Sequence, residues 1–194
     1  MIHTDSRPGL DVELAHRVDV LARLVWGAPR FVDALRWWAG FDLRREPRSP
    51  DERRLVDEHE ALLLDVPPGT QVTARDGYLV AALGTEAFRV AAVSALVYEP
   101  AAGLDLARRE QLDAGQIPLG RVLADAQRST HYVTRLAGPP REDEPALRAR
   151  ATLLCGGRPA ALVHETVLWR LLTHRAPGRL PHYAQARPGW EPMW

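Results

Sequence analysis

The chain has 194 residues, the size of one domain. With 46% hydrophobic and 26% charged residues it predicts a folded, water-soluble core and excludes global disorder. Basic and acidic residues balance at 25 each, which argues against a nucleic-acid binder working through a general positive field.

The pattern predicts helices first. Leu14, Val18, Leu21 and Val25 make one stripe of an amphipathic helix over 11–25. Pro29 suits the first turn of a second helix, with Phe31, Leu35 and Trp38 on one side and Gly40 as its stop. The arginine-rich run 44–54, broken by Pro47 and Pro50, reads as an exposed connection. Pro67-Pro68-Gly69 reads as a turn. The period then changes. Residues 78–83, a Gly84-Thr85 turn and residues 88–98 predict a hairpin.

Further on, 100–103 breaks the pattern and 104–112 reads as a short helix. Ile117-Pro118-Leu119-Gly120 opens a turn into a helical segment ending near Ala126, and 130–136 reads as a strand. A polar turn spans 139–145. Residues 148–154, Gly156-Gly157 and 160–169 predict a second hairpin. Pro177, Pro181, Pro188 and Pro192 mark an irregular tail over 177–194, leaving 1–176 as the domain. Helices followed by hairpins indicate an α+β fold with one antiparallel sheet.

All basic residues are arginine, so no Schiff-base lysine and no lysine general base is available. A single cysteine, Cys155, excludes an internal disulfide and a multi-cysteine metal site. No apolar run is long enough to span a membrane, and the N-terminal residues lack the basic start and apolar core of a signal peptide. The expected address is the cytoplasm, with no membrane or nucleic-acid partner, as a monomer or homodimer.

Two segments carry a resemblance. One is Gln116-Ile117-Pro118-Leu119-Gly120-Arg121-Val122-Leu123. The other runs from Arg148-Ala149-Arg150 through Gly156-Gly157-Arg158-Pro159 to His164-Glu165-Thr166-Val167-Leu168. Together they resemble the "PLG-R-x-L" segment and the "R-x-R…G-G-x-P…E-x-x-L" hairpin of the chorismate pyruvate-lyase family, most of all its actinobacterial branch. The resemblance spans about residues 12–170, and implies a single antiparallel sheet flanked by helices, with a buried ligand pocket under helical flaps. It implies a cofactor-independent lyase that splits chorismate, a small-molecule substrate, into 4-hydroxybenzoate and pyruvate.

Glu165 is the expected catalytic residue: in the family this glutamate faces the ring 4-oxygen. On a regular strand its side chain shares a face with Ala161, Val163, Val167 and Trp169, where an apolar setting raises a carboxyl's pKa. Ile117, Leu119 and Gly120 would bring backbone amides to a substrate carboxylate. Arg150 would pair with a carboxylate, and Arg30 would cap the pocket from a helix start. The family's hairpin arginine falls at Ala92 or Val93 here, so Arg89, four residues before Val93, is the candidate to reach in instead. No metal is expected, since His164 and Glu165 point to opposite faces of a strand.

A site poorer in cations would favour a less anionic ligand. Trp26, Trp37, Trp38 and Trp169 would then line it, or else simply pack the core. Two alternatives therefore stand beside the lyase: an enzyme of the same fold with a changed substrate, and a non-catalytic small-molecule-binding module.

Overall fold

The computed structural model describes residues 12–40, 42–83, 86–136 and 141–174. The predicted stripe folds as helix α1 (Val12–Gly27), with Val18, Leu21 and Val25 buried. Helix α2 (Phe31–Ala39) begins just after Pro29 and ends at Gly40, whose φ of 81° lets its N–H bond back to the Arg36 carbonyl at 2.8 Å.

The arginine-rich run departs from expectation. It forms two edge strands, β1 (Leu43–Pro47) and β2 (Glu52–Leu55), rather than an exposed connection. Both pair antiparallel with the same edge of β3 (Gln71–Leu83), one after the other. The reason is Arg45: its side chain is buried against the distant Gly115 and Asp76 carbonyls, which no local pattern shows. Between them and β3 lies helix α3 (Glu58–Leu64), which the periodicity also misses. Asp57 and Glu60 close a reciprocal capping box at its start, the Asp57 carboxylate accepting from the Glu60 N–H at 2.7 Å.

The predicted hairpins are present. β3 pairs with β4 (Glu86–Val97), and β6 (Pro145–Cys155) pairs with β7 (Arg158–Leu168) across Gly156-Gly157. The Gly84-Thr85 turn, Pro139-Pro140 and the tail lie outside the described residues. Short helices α4 (Glu99–Ala102), α5 (Leu106–Ala114) and α6 (Leu119–Val122) precede β5 (Gln127–Arg135). Trp169 starts helix α7 (Trp169–His174) and so does not continue β7 as expected. The sheet order is β1-β3-β4-β7-β6-β5, with β2 beside β3, and every pairing is antiparallel.

One face of this sheet, the inner face, carries two separate apolar cores. Helices α1, α2 and α7 pack on Leu79, Ala91, Leu147 and Val167 at one end. Residues of α4, α5 and α6 pack on Ala95, Ala151, Leu153 and Val163 at the other. On the outer face α3 covers Val72, Leu96 and Leu162. The gap between the two inner cores is where the site forms. Among the described residues no helix is long and apolar enough to cross a membrane.

β1 crosses β3 closely at Gly77, where an added Cβ would lie 2.6 Å from the Glu46 carbonyl oxygen. Backbone cannot yield there as a flexible side chain would. Gly77→Ala is expected to lower the free energy of unfolding by about 2 kcal/mol or more. Gly120→Ala, whose new carbon meets only the Arg30 side chain at 3.7 Å, should stay within about 0.5 kcal/mol of the parent. Urea titrations of both variants check the contrast.

Candidate functional site

Between the two inner cores lies a cavity of about 60 Å³. One water takes roughly 10–15 Å³ on this measure, so the space suits a compact molecule. Its floor is the sheet: Gly77 and Leu79, Val93 and Ala95, Val163 and Glu165 all line it. Their alternation puts these residues of β3, β4 and β7 on one face. Its roof is the α1–α2 junction at Pro29–Val32 on one side, and Pro118, Leu119, Gly120 and Leu123 on the other.

Glu165 sits in this floor, 4% exposed. Burial pushes its carboxyl above the ordinary value, and the Arg128 guanidinium pulls it back in part. Arg128 Nη2 donates to Glu165 Oε2 at 2.5 Å, with both side chains almost wholly buried. Arg128 escapes the sequence reading because β5 begins three residues earlier than expected. Extending the alternation back from Thr130 would have found it.

The other polar end is built by two arginines. Arg75 is 3% exposed; its Nε donates to Asp51 Oδ2 at 2.6 Å and its Nη2 to the Leu112 carbonyl at 3.2 Å. Arg45 Nη2 donates to the other Asp51 oxygen at 2.8 Å, and its Nη1 to the Gly115 carbonyl at 2.5 Å. Two buried guanidiniums thus share one carboxylate, with Asp113 adding attraction from further off. Arg75 Nη1 is buried and has no hydrogen-bond partner among the described residues. Burial pulls the Arg75 pKa down, Asp51 holds it up in part, and the neighbouring Arg45 charge adds to the lowering. Arg75 pairs with Ala95, which pairs with Val163; Gly77 pairs with Val93, which pairs with Glu165. Arg75 and Glu165 are therefore two strands apart and offset by two residues, about 12 Å between Cα atoms.

Of the residues singled out from sequence, Glu165, Leu119, Gly120 and Arg30 border the cavity. Arg30 is engaged by Asp33, its Nε donating to Oδ2 at 2.6 Å. Ile117 does not reach the cavity. It borders an open groove beside β1 and packs against the second inner core.

Arg150 and Arg89 are both on the outer face, and the cause is the same in each. An extra residue at Val90 shifts the β3–β4 register, so Arg89 no longer follows the parity of Val93. It lies over the Tyr78 ring and donates to Glu46 Oε1 at 2.6 Å. An extra residue at Ala160 likewise sets Arg150 opposite His164 rather than on the side of Glu165. Arg150 contacts the His59 ring at 3.0 Å and lies over Tyr132. Arg148 shares its face.

The pocket is not poor in cations, and of the two readings of the tryptophans the structure favours core packing. Arg30, Arg45, Arg75 and Arg128 border the cavity with Phe31, while the Tyr78 ring turns to the outer face under Arg89. Trp38 is fully buried in the first core, its indole N–H donating to the Leu171 carbonyl at 3.0 Å, and Trp26 and Trp37 pack against that core. Of Ala92 and Val93, only Val93 faces the cavity, and Arg75 on the neighbouring strand borders it as well.

No protein-family model and no curated protein matches the chain. Solved structures are similar to it in fold. PhnF from Mycobacterium smegmatis matches with a TM-score of 0.52 at 12% identity, covering 80% of this chain and 69% of that one. The effector domain of the same protein gives 0.49 at 12% identity, covering 72% and 88%. A GntR-family transcriptional regulator from Enterococcus faecalis V583 gives 0.43 at 11%, covering 71% and 99%. The α+β, chorismate-lyase-like arrangement of one antiparallel sheet flanked by helices is thus the fold of this chain.

Removing one member of the buried Arg128–Glu165 pair strands the other. Arg128→Met is expected to cost about 3–5 kcal/mol, whereas Arg128→Met with Glu165→Met should recover most of that loss. Denaturant midpoints of the single and double variants test the difference.

Proposed function

We propose that this chain is a small-molecule-binding module for a compact carboxylic acid. One observation carries the reading: Arg45 and Arg75 are buried against a single shared carboxylate, and Arg75 Nη1 lacks a partner at the cavity's edge. A buried guanidinium short of counter-charge is costly, and a ligand carboxylate supplies what is missing. Guanidinium suits this role because its planar fork matches a carboxylate's two oxygens. The middle of the cavity is apolar, with Leu79, Val93, Leu119 and Val163, so the ligand's body is apolar too. Its far end meets Glu165, already matched by Arg128, and so carries a hydrogen-bonding group such as hydroxyl. A hydroxybenzoate-sized acid meets all three requirements. The fold-level likeness to an effector domain and to a transcriptional regulator agrees with this reading without carrying it.

A second reading, the chorismate-lyase-like enzyme, is favoured by the burial of Glu165 on the cavity floor and its raised pKa. There Glu165 would handle the proton while the enolpyruvyl ether is eliminated, and the roof would exclude water. The short, charge-assisted bond from Arg128 favours the ionised carboxylate, and therefore weighs against a proton-donating role.

The expected result is saturable binding of 4-hydroxybenzoate by calorimetry, weakened at least about tenfold by Arg75→Met. Binding unchanged in that variant would overturn the assignment of the carboxylate end. In parallel, purified protein is incubated with chorismate and followed for pyruvate. Binding without pyruvate supports the module, whereas stoichiometric pyruvate lost in Glu165→Gln supports the enzyme.

A further inference from the structure

Arg128 does more than neutralise Glu165. Its Nη1 donates to the Val25 carbonyl at 2.6 Å and to Thr130 Oγ1 at 2.7 Å, and Thr130 Oγ1 donates in turn to the Trp26 carbonyl at 3.1 Å. These carbonyls belong to the last turn of α1, which has no basic residue of its own. A helix C-terminus leaves its final carbonyls without intrahelical donors and carries a partial negative charge. Arg128 and Thr130, both from β5, satisfy it from outside the helix. Immediately beyond that turn come Pro29, Arg30 and Phe31, which form one side of the cavity roof.

One guanidinium therefore bridges floor and roof. We propose that Arg128 is a positioning residue that couples Glu165 to the end of α1, so that an occupant drawing Glu165 away from Arg128 loosens the α1–α2 wall. This rests on the reading of the cavity as a ligand site, and names how occupancy of that site is felt by the surrounding structure. The guanidinium has little to fall back on. Its side chain is about 1% exposed, and its Nε has no hydrogen-bond partner among the described residues. Without the carboxylate it is a buried charge held only by neutral oxygens, and moving toward water relieves that at the cost of the α1 contacts.

The opening should be local. The first half of α1 is held independently, by the ion pair between Asp19 and Arg135 and by Arg17 donating to the Leu172 carbonyl at 3.2 Å. The two halves of one helix thus hang from different anchors, and only the second is tied to the cavity.

Hydrogen–deuterium exchange of the full chain, read by mass spectrometry without ligand, tests the coupling. Glu165→Gln should raise exchange tenfold or more in peptides spanning 24–32, while peptides over 14–20 and 71–81 keep their parent rates. Arg128→Met should give the same local increase, and the double variant no more than either single one, because all three cut the same link. Parent rates over 24–32 in folded Glu165→Gln would overturn the proposal, as would additive increases in the double variant. If a single variant is globally unfolded, Arg128→Met with Glu165→Met decides: it removes both charges and should fold. Fast exchange confined to 24–32 in that protein supports the tether, and parent or uniformly raised rates overturn it. Binding of 4-hydroxybenzoate by the parent protein is measured separately. Its failure removes the ligand reading and leaves the exchange result standing on its own.

Discussion

Charge buried between two apolar cores is the constraint on which the rest of this molecule depends. Arg45, Arg75 and Arg128 lie under the helices, and among the described residues the carboxylates they pair with are Asp51 and Glu165. Each guanidinium also donates to a backbone carbonyl at a helix end: Gly115 just after α5, Leu112 in its last turn, and Val25 at the end of α1. The roof elements are therefore fastened to the sheet by the same groups that give the cavity its polarity. A well-packed apolar replacement would hold the fold at least as firmly. What it would lose is the buried positive charge on which the proposed acid site rests.

Much of this was legible in the sequence. Alternation in 78–98 and 148–168 gives both long hairpins, and period-3.6 apolar spacing with Gly40 gives the first two helices. Glu165 was placed on the correct face because Ala161, Val163 and Val167 mark that face as buried. β1 and β2 were hidden because β2 buries nothing and β1 buries an arginine beside Leu43, held by the distant Asp76 and Gly115 carbonyls. Arg75 was hidden for the same reason.

The misplacement of Arg89 and Arg150 has a different cause, and one of them was within reach. A two-residue turn at Gly156-Gly157 pairs Cys155 with Arg158, and so pairs odd positions with even ones. Yet the inner-face apolar residues are odd-numbered on both strands: Leu147, Ala149, Ala151 and Leu153 against Ala161, Val163 and Val167. One face cannot hold both sets unless a residue is added between turn and body. Ala160 is that residue, and it sends Arg150 outward. The same reasoning cannot be made for Val90, where alanines on both faces leave the parity of β4 ambiguous.

The absence of lysine takes on meaning at the cavity. A buried ammonium can shed its proton near neutrality, so a lysine-lined acid pocket weakens as it becomes drier. Guanidinium holds its charge across the whole biological pH range, even when burial lowers its affinity for the proton. Acylating reagents and acetyl-transferring enzymes that silence lysines have no such group to modify here. In the acid site proposed above, the cationic end is in that sense permanent: its charge stays fixed while a ligand's carboxyl titrates.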